Sequence, residues 1–229
     1  MRKYLALLLL MLMGLLLLAL AMKFGFGTAP MRIGSAINSA APGQVGAANI
    51  VTSVVLGYRG IDTLGELAIL FTAATAAGLL LGQRPSTTEP DPDAGFILRN
   101  AADLLFPLLL VVGLFIIVHG HLTPGGGFQG GVILAAAFFL PLLARPAAHF
   151  RHGVFGVVEA LAGAAFIGIG LLALAGGGAF LQPMLGKGVL GQLVSAGTLP
   201  LLYAAVGLKV GTELAGLMAG ISGYEARDP

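Results

Sequence analysis

Three ionisable residues stand in stretches too apolar to solvate them, and any chemistry starts there. Lys209 and Glu213 are four apart in the run 193–221, so a helix places both on one face. Glu159 lies near the start of another apolar run, 154–175, with no opposite charge close by on the same helix. An ionised side chain is costly in hydrocarbon, and burial moves the pKa of such groups toward neutrality. Residues of this kind can line a hydrated path for protons or cations between helices. The plain alternative is that Lys209 and Glu213 simply neutralise each other.

Other charged residues have local explanations. Asp103 follows Arg99 by four residues, the spacing of an interfacial ion pair. Asp62 suits the N-cap of an apolar helix, with Glu66 in its first turns, where the helix dipole favours negative charge. His119 and His121 flank Gly120. They could share a metal only from an extended backbone, and no nearby carboxylate or histidine completes a set, so no metal site is expected. They read instead as interfacial histidines bonded to loop carbonyls, or as a proton relay at a channel mouth. The loop Pro124-Gly125-Gly126-Gly127, with Gly130 and Gly131, lets backbone approach backbone. A phosphate cradle is rejected, because no strand precedes the glycines and no lysine follows them. No nucleophile–base set and no soluble domain with paired carboxylates appears, so no enzyme and no cofactor are expected.

The elements that must position these residues are transmembrane helices. Of 229 residues 57% are hydrophobic and 10% charged, and the mean hydropathy is +0.96. Soluble domains carry roughly a quarter charged residues, so lipid must cover part of this chain. Without cysteine it has no disulfide, thiolate zinc or cysteine-ligated iron–sulfur cluster, and a net charge of +2 gives no basic patch for nucleic acid. About six spans are predicted: 4–22, 61–82, 101–118, 130–144, 154–175 and 193–221. The first resembles a secretory signal, but its apolar run exceeds the usual 7–15 residues, which favours a retained helix. The expected fold is all-α and polytopic, two spans plus four: 1–82, a polar Pro/Thr/Asp-rich linker at 83–95, and 96–229. Whether 23–56 is ordered is left open. Arg2, Lys3, Arg84, Arg99, Arg145, Arg151 and Arg227 fall on one side, against Lys23, Arg32, Arg59 and Lys187, which predicts both termini in the cytoplasm.

The stretch His119-Gly-His-Leu-Thr-Pro-Gly-Gly-Gly-Phe-Gln-Gly-Gly131 resembles the signature of the B-type component of Mrp/Mnh-type multisubunit Na⁺/H⁺ antiporters, and the likeness covers roughly 96–223. Asn49-Ile-Val-Thr-Ser-Val-Val-Leu-Gly-Tyr-Arg-Gly-Ile-Asp-Thr-Leu-Gly-Glu66 is similar to the two-helix end of the large A-type component, which is a separate E-type piece in Mrp-like hydrogenase modules. The resemblance implies a fusion of these two pieces in a cell-membrane complex exchanging sodium for protons, with large antiporter-like and small helical subunits as partners. By matching motifs it marks Arg59, Asp62, Glu66, His119, His121 and Gln129. The expected role is that of an accessory subunit contributing to the cation/proton path and to assembly. The alternatives are the same module in a redox-driven complex, such as a membrane-bound hydrogenase, or a purely structural subunit.

Overall fold

In the computed structural model of the chain, residues 2–23, 31–81, 95–145 and 152–221 are described. The predicted linker lies outside them except for Gly95, as do Arg84, Arg151 and Arg227. The chain divides after Ile37 into two units. The first contains α1 (Arg2–Lys23), apolar on every side and exposed along its length, as suits a helix whose solvent is lipid. α2 (Arg32–Gln44) runs from the first unit into the second.

The second unit holds the remaining helices. A short α3 (Ile50–Thr52) passes directly into a π-helical stretch, Ser53–Tyr58. Asn49 caps α3, its side-chain oxygen accepting from the Val51 amide at 3.1 Å. The wider π turn ends where the Arg59 amide reaches back to the Val54 carbonyl, and the Thr63 hydroxyl donates to the carbonyl of Val55. Then come α4 (Gly60–Leu81), α5 (Phe96–Val118), α6 (Gly127–Ala144), α7 (His152–Ala175) and α8 (Leu199–Ile221). With α1, these five make six helices long and apolar enough to cross a membrane. The protein is all-α and polytopic, as its sequence predicts.

Several boundaries move, for local reasons. Asp62 is not an N-cap: α4 already begins at Gly60, and Asp62 sits in its first turn, paired with Arg59. α5 starts at Phe96, five residues before the predicted span, because the polar residues Arg99 and Asn100 are helical too. α6 starts at Gly127, so the last glycines of the motif belong to a helix. Span six begins at Leu199 instead of 193, since Ala196 and Gly197 adopt φ of 63° and 60°, which a right-handed helix cannot continue. The stretch 38–58, whose order the sequence leaves open, is tied down. Ala41, Val45, Ala47 and Leu56 are buried, and Lys187 donates to the carbonyl of Gly43 at 2.9 Å.

α8 is the central helix. It packs on α4, α5, α6 and α7, and is the most buried of the six spans. Glycine makes this approach possible. A Cβ on Gly127 would lie 2.6 Å from the Cβ of Val206, and one on Gly131 would lie 2.8 Å from that of Val210. On the other side of α6, a Cβ on Gly130 would strike Ile117 and come within 2.7 Å of the Gly113 carbonyl oxygen. Small residues four apart let helix backbones approach in lipid, where van der Waals packing drives association. The motif loop turns tightly at Gly125 and Gly126, with φ of 148° and 135°, conformations that L side chains rarely adopt.

Gly131→Leu forces α6 and α8 apart and is expected to destabilise the protein by about 1–3 kcal/mol or more. Gly168→Ala, with nothing within 4 Å of the added methyl, leaves the melting temperature in detergent unchanged. Equal melting temperatures for the two variants refute the close contact.

Candidate functional site: a charged cleft between three helices

The inward face of α8 carries Lys209, 8% exposed, and Glu213, 5% exposed. Lys209 Nζ lies 2.9 Å from Glu213 Oε2 on its own helix and 3.4 Å from Glu159 Oε1 on α7. The ammonium also stands over the Phe71 ring of α4, 5.0 Å from its centroid, where the ring quadrupole attracts a cation. The lysine stem passes α7 at Gly163, where an added Cβ would meet Lys209 Cδ and Cε in ordinary contact, at 3.7 Å. Three helices thus converge on one ammonium and two carboxylates.

These groups are not sealed from their surroundings. A cleft of about 340 Å³ runs between α4, α7 and α8, and both carboxylates line it. Its walls extend to Gly78, His152 and Gly220, which lie at the end of α4, the start of α7 and the end of α8. Glu159 is seven positions from His152 on α7, and Glu213 seven from Gly220 on α8, which at 1.5 Å per residue is roughly 10 Å of depth. Thr75 of α4 and Thr212 of α8 add hydroxyls to the lining.

A second polar node lies at the π-helix. Asn49 donates to the carbonyls of Gly120 and Thr123, both at 2.9 Å, while its amide bonds the His121 carbonyl at 3.0 Å. The Thr52 hydroxyl donates to the Gly120 carbonyl at 2.7 Å and accepts from the Tyr203 hydroxyl at 2.6 Å. His121 is fully buried, with Nε2 3.1 Å from the Leu193 carbonyl. Burial holds its pKa below the ordinary histidine value, which favours a neutral ring donating from Nε2.

The sequence-predicted residues therefore separate into groups. Glu159, Lys209 and Glu213 come together. Asp62 and Arg59 pair at the surface, and Glu66 is exposed on α4 away from the cleft lining. His119 stacks on Phe115 at 4.0 Å and bonds that residue's carbonyl, so the two histidines serve different neighbours. Gln129 and Pro124 are exposed, whereas Gly126, Gly127, Gly130 and Gly131 are buried. Asp103 does not use Arg99: Arg145, at the end of α6, binds both its oxygens at 2.7 and 2.6 Å. Among the described residues no group of three His, Cys, Asp or Glu could hold a metal. Sequence reasoning missed Phe71, Asn49, Thr52 and Tyr203. Only Asn49, a capping residue just before an apolar run, carried a signal of its own.

A polytopic helical membrane protein with an ion-paired cleft inside its bundle is the class that this geometry defines. Residues 97–216 match the family model described as a domain related to the MnhB subunit of Na⁺/H⁺ antiporter. The chain belongs to that family. An uncharacterized protein of Methanocaldococcus jannaschii is 31% identical over 196 residues, 74% of each chain. A relative from Rhizobium meliloti, a probable K⁺/H⁺ antiporter component of combined A/B type, is 32% identical over 42% of this chain, which spans only 12% of that relative. Among solved structures, a chain of the membrane-bound sulfane sulfur reductase, an archaeal respiratory membrane complex, matches with a TM-score of 0.82 and 38% identity, covering 96% of this chain and 97% of that one. A chain of the Mrp complex from Dietzia sp. matches with a TM-score of 0.81 and 26% identity, over all of this chain and 27% of its own length.

Lys209→Met leaves Glu213 buried without its counter-charge and is expected to lower stability by about 3–5 kcal/mol. The double variant Lys209→Met/Glu213→Gln removes both charges and recovers most of that loss. Thermal unfolding in detergent measures both. A single variant as stable as wild type contradicts the pairing.

Proposed function

We propose that this chain is an accessory membrane subunit of an Mrp-type cation/proton antiporter complex, and that its cleft is one access route for ions. The observation carrying the reading is the cleft itself, which leads from three helix ends to Glu159, Lys209 and Glu213. Charged groups at such depth are expensive to keep unless a hydrated route or a partner uses them. Other Mrp-type membrane subunits, large antiporter-like and small helical, would be its neighbours in the cell membrane, with sodium and protons as the transported ions. The N-terminal segment to residue 82 serves as the E-type piece fused ahead of the B-like domain. The positive-inside bias predicts a cytoplasmic side for both termini, and with it for the helix ends at Gly78, His152 and Gly220 that line the cleft mouth.

A second reading has its own support. The sulfane sulfur reductase chain matches nearly end to end, so the same module can serve a redox-driven complex, without a cysteine-ligated redox centre in this polypeptide. Co-purification with iron–sulfur or nickel proteins favours this second reading.

The test uses the assembled complex in everted membrane vesicles. Glu159→Gln is expected to reduce sodium-driven proton movement at least tenfold while the complex still assembles. In the same vesicles, Gly156→Cys, in the cleft wall of a chain without cysteine, reacts with a membrane-impermeant maleimide from the cytoplasmic face. Full exchange in assembled Glu159→Gln complexes leaves this chain as scaffold only.

A further inference from the structure

Glu66 is the charged residue within a span that the cleft leaves unexplained. It is exposed on α4, six positions after Gly60, which at 1.5 Å per residue puts it roughly 9 Å inside a helix long enough to cross the bilayer. No described residue pairs with it. One turn back, Asp62 is committed to Arg59 and the Thr63 hydroxyl to the Val55 carbonyl; one turn on stand Ile69 and Leu70. An ionised side chain turned toward lipid is costly, and a protonated carboxyl there still lacks a hydrogen-bond partner. Such a residue is kept at that depth where another chain covers it.

The surface beside it suits a helix better than it suits lipid tails. Gly65, Ala68, Thr72 and Ala76 follow one another at intervals of three and four along the exposed side of α4, and Ala73 lies two turns on from Glu66. A Cβ on Gly65 would meet nothing within 4 Å, so no contact inside the chain asks for a glycine there. The Thr72 hydroxyl turns back to the Ala68 carbonyl at 2.8 Å, leaving only its small bulk on the surface. By contrast, the exposed residues of α5 and α7 include Leu104, Val111, Leu161 and Leu171, large side chains that lipid solvates well. Small residues at such spacings let a second backbone come close within a bilayer. None of these α4 residues lines the cleft.

We propose that this face of α4 docks a transmembrane helix of another subunit, one that carries a Lys or Arg at the depth of Glu66. The inference rests on the reading of the chain as a subunit of a complex, and not on the ion route. Charge selects the occupant. A second copy seated on the same face, related by a two-fold axis along the membrane normal, would set carboxylate against carboxylate at one depth. Lipid tails would leave Glu66 bare. α1 is apolar from Leu5 to Met22 and brings no donor side chain to the matching depth. A basic residue on a partner helix satisfies the carboxylate through a charge-assisted hydrogen bond, and the small residues supply the backbone contact that holds the two groups together.

The experiment purifies the assembled complex through another of its subunits and measures how much of this chain is recovered. Glu66→Lys is expected to lower recovery roughly tenfold or more, since like charges would meet at the contact, while the melting temperature of the chain alone in detergent stays unchanged. Benzoylphenylalanine in place of Ile69, a large exposed residue on the same face, is expected to form an adduct on illumination of the complex. Mass spectrometry then maps that adduct to a transmembrane helix of a second subunit with a Lys or Arg at the depth of Glu66. Replacing that basic residue by Glu restores the recovery of Glu66→Lys, and this rescue decides the matter should Glu66→Lys also lower the melting temperature. Full recovery of Glu66→Lys, an adduct only with lipid or a second copy, a mapped helix without a basic residue, or a failed rescue each overturns the interface. Ion movement enters none of these readouts. Complexes joined through this face that move no ions refute the cleft's role and leave the interface standing, whereas normal recovery and exchange with Glu66→Lys refute the interface alone.

Discussion

Val206 and Val210 of α8 occupy the space that side chains on Gly127 and Gly131 would need, and this contact between α6 and α8 sets the register of the bundle. Lys209 and Glu213 each follow one of these valines by three residues, which displaces them by about 60° around the helix. With the valines seated on α6, the charged pair lies on the flank of that contact, where it meets Glu159 of α7 and Phe71 of α4. There the lysine stem lies beside Gly163 and Phe71 covers the ammonium. A bulkier α6 would rotate or displace α8 and take the charges out of line with Glu159. The glycine motif acts on the ions only through the helix that it positions.

The radial order of the bundle follows from its solvent. In water the apolar residues would gather at the centre. Here the outward faces of α5 and α7 are Leu, Val, Ile and Phe, and the helix with two charged residues, a tyrosine and a threonine is the central one. Lipid tails satisfy apolar surface as well as a protein core does, so what must be hidden is polarity. Hiding polarity in the centre creates the difficulty that the cleft resolves. One ammonium between two carboxylates offsets most of the desolvation cost of each, but three charges cannot sum to zero. A dry site would leave the odd charge uncompensated, whereas both carboxylates here line an open cleft.

How much of this is legible in the sequence differs by element. Span number and fold class follow from length and hydropathy, which lipid thickness converts directly into helices. Lys209 and Glu213 are readable as a pair because spacing four puts opposite charges on one helix face. Their meeting with Glu159 is not, since it depends on which faces of α7 and α8 touch, and α7 is apolar nearly all round. Asp103 shows the same limit in reverse. Its nearest charge along the chain is Arg99, but the guanidinium holding it comes from Arg145, 42 residues on. Hydropathy starts span six too early because it cannot register the positive φ at Ala196 and Gly197 that delays the helix. The π-helix is beyond its reach as well, as that apolar run fits strand and helix equally.

α3 and its cap, just before the π-helix, make the two halves of the chain depend on each other. The family match begins at residue 97, yet the glycine loop between α5 and α6 is not complete within that range. The Gly120 carbonyl accepts from both Asn49 and Thr52, and Thr52 in turn accepts from Tyr203. A carbonyl with two donors, both from the preceding segment, would be stripped of partners if that segment were removed. α4 likewise supplies one wall of the cleft and the ring over Lys209. The compact unit accordingly runs from Asn38, well ahead of the family match. The donors and the wall thus come from the same compact unit as the helices they serve.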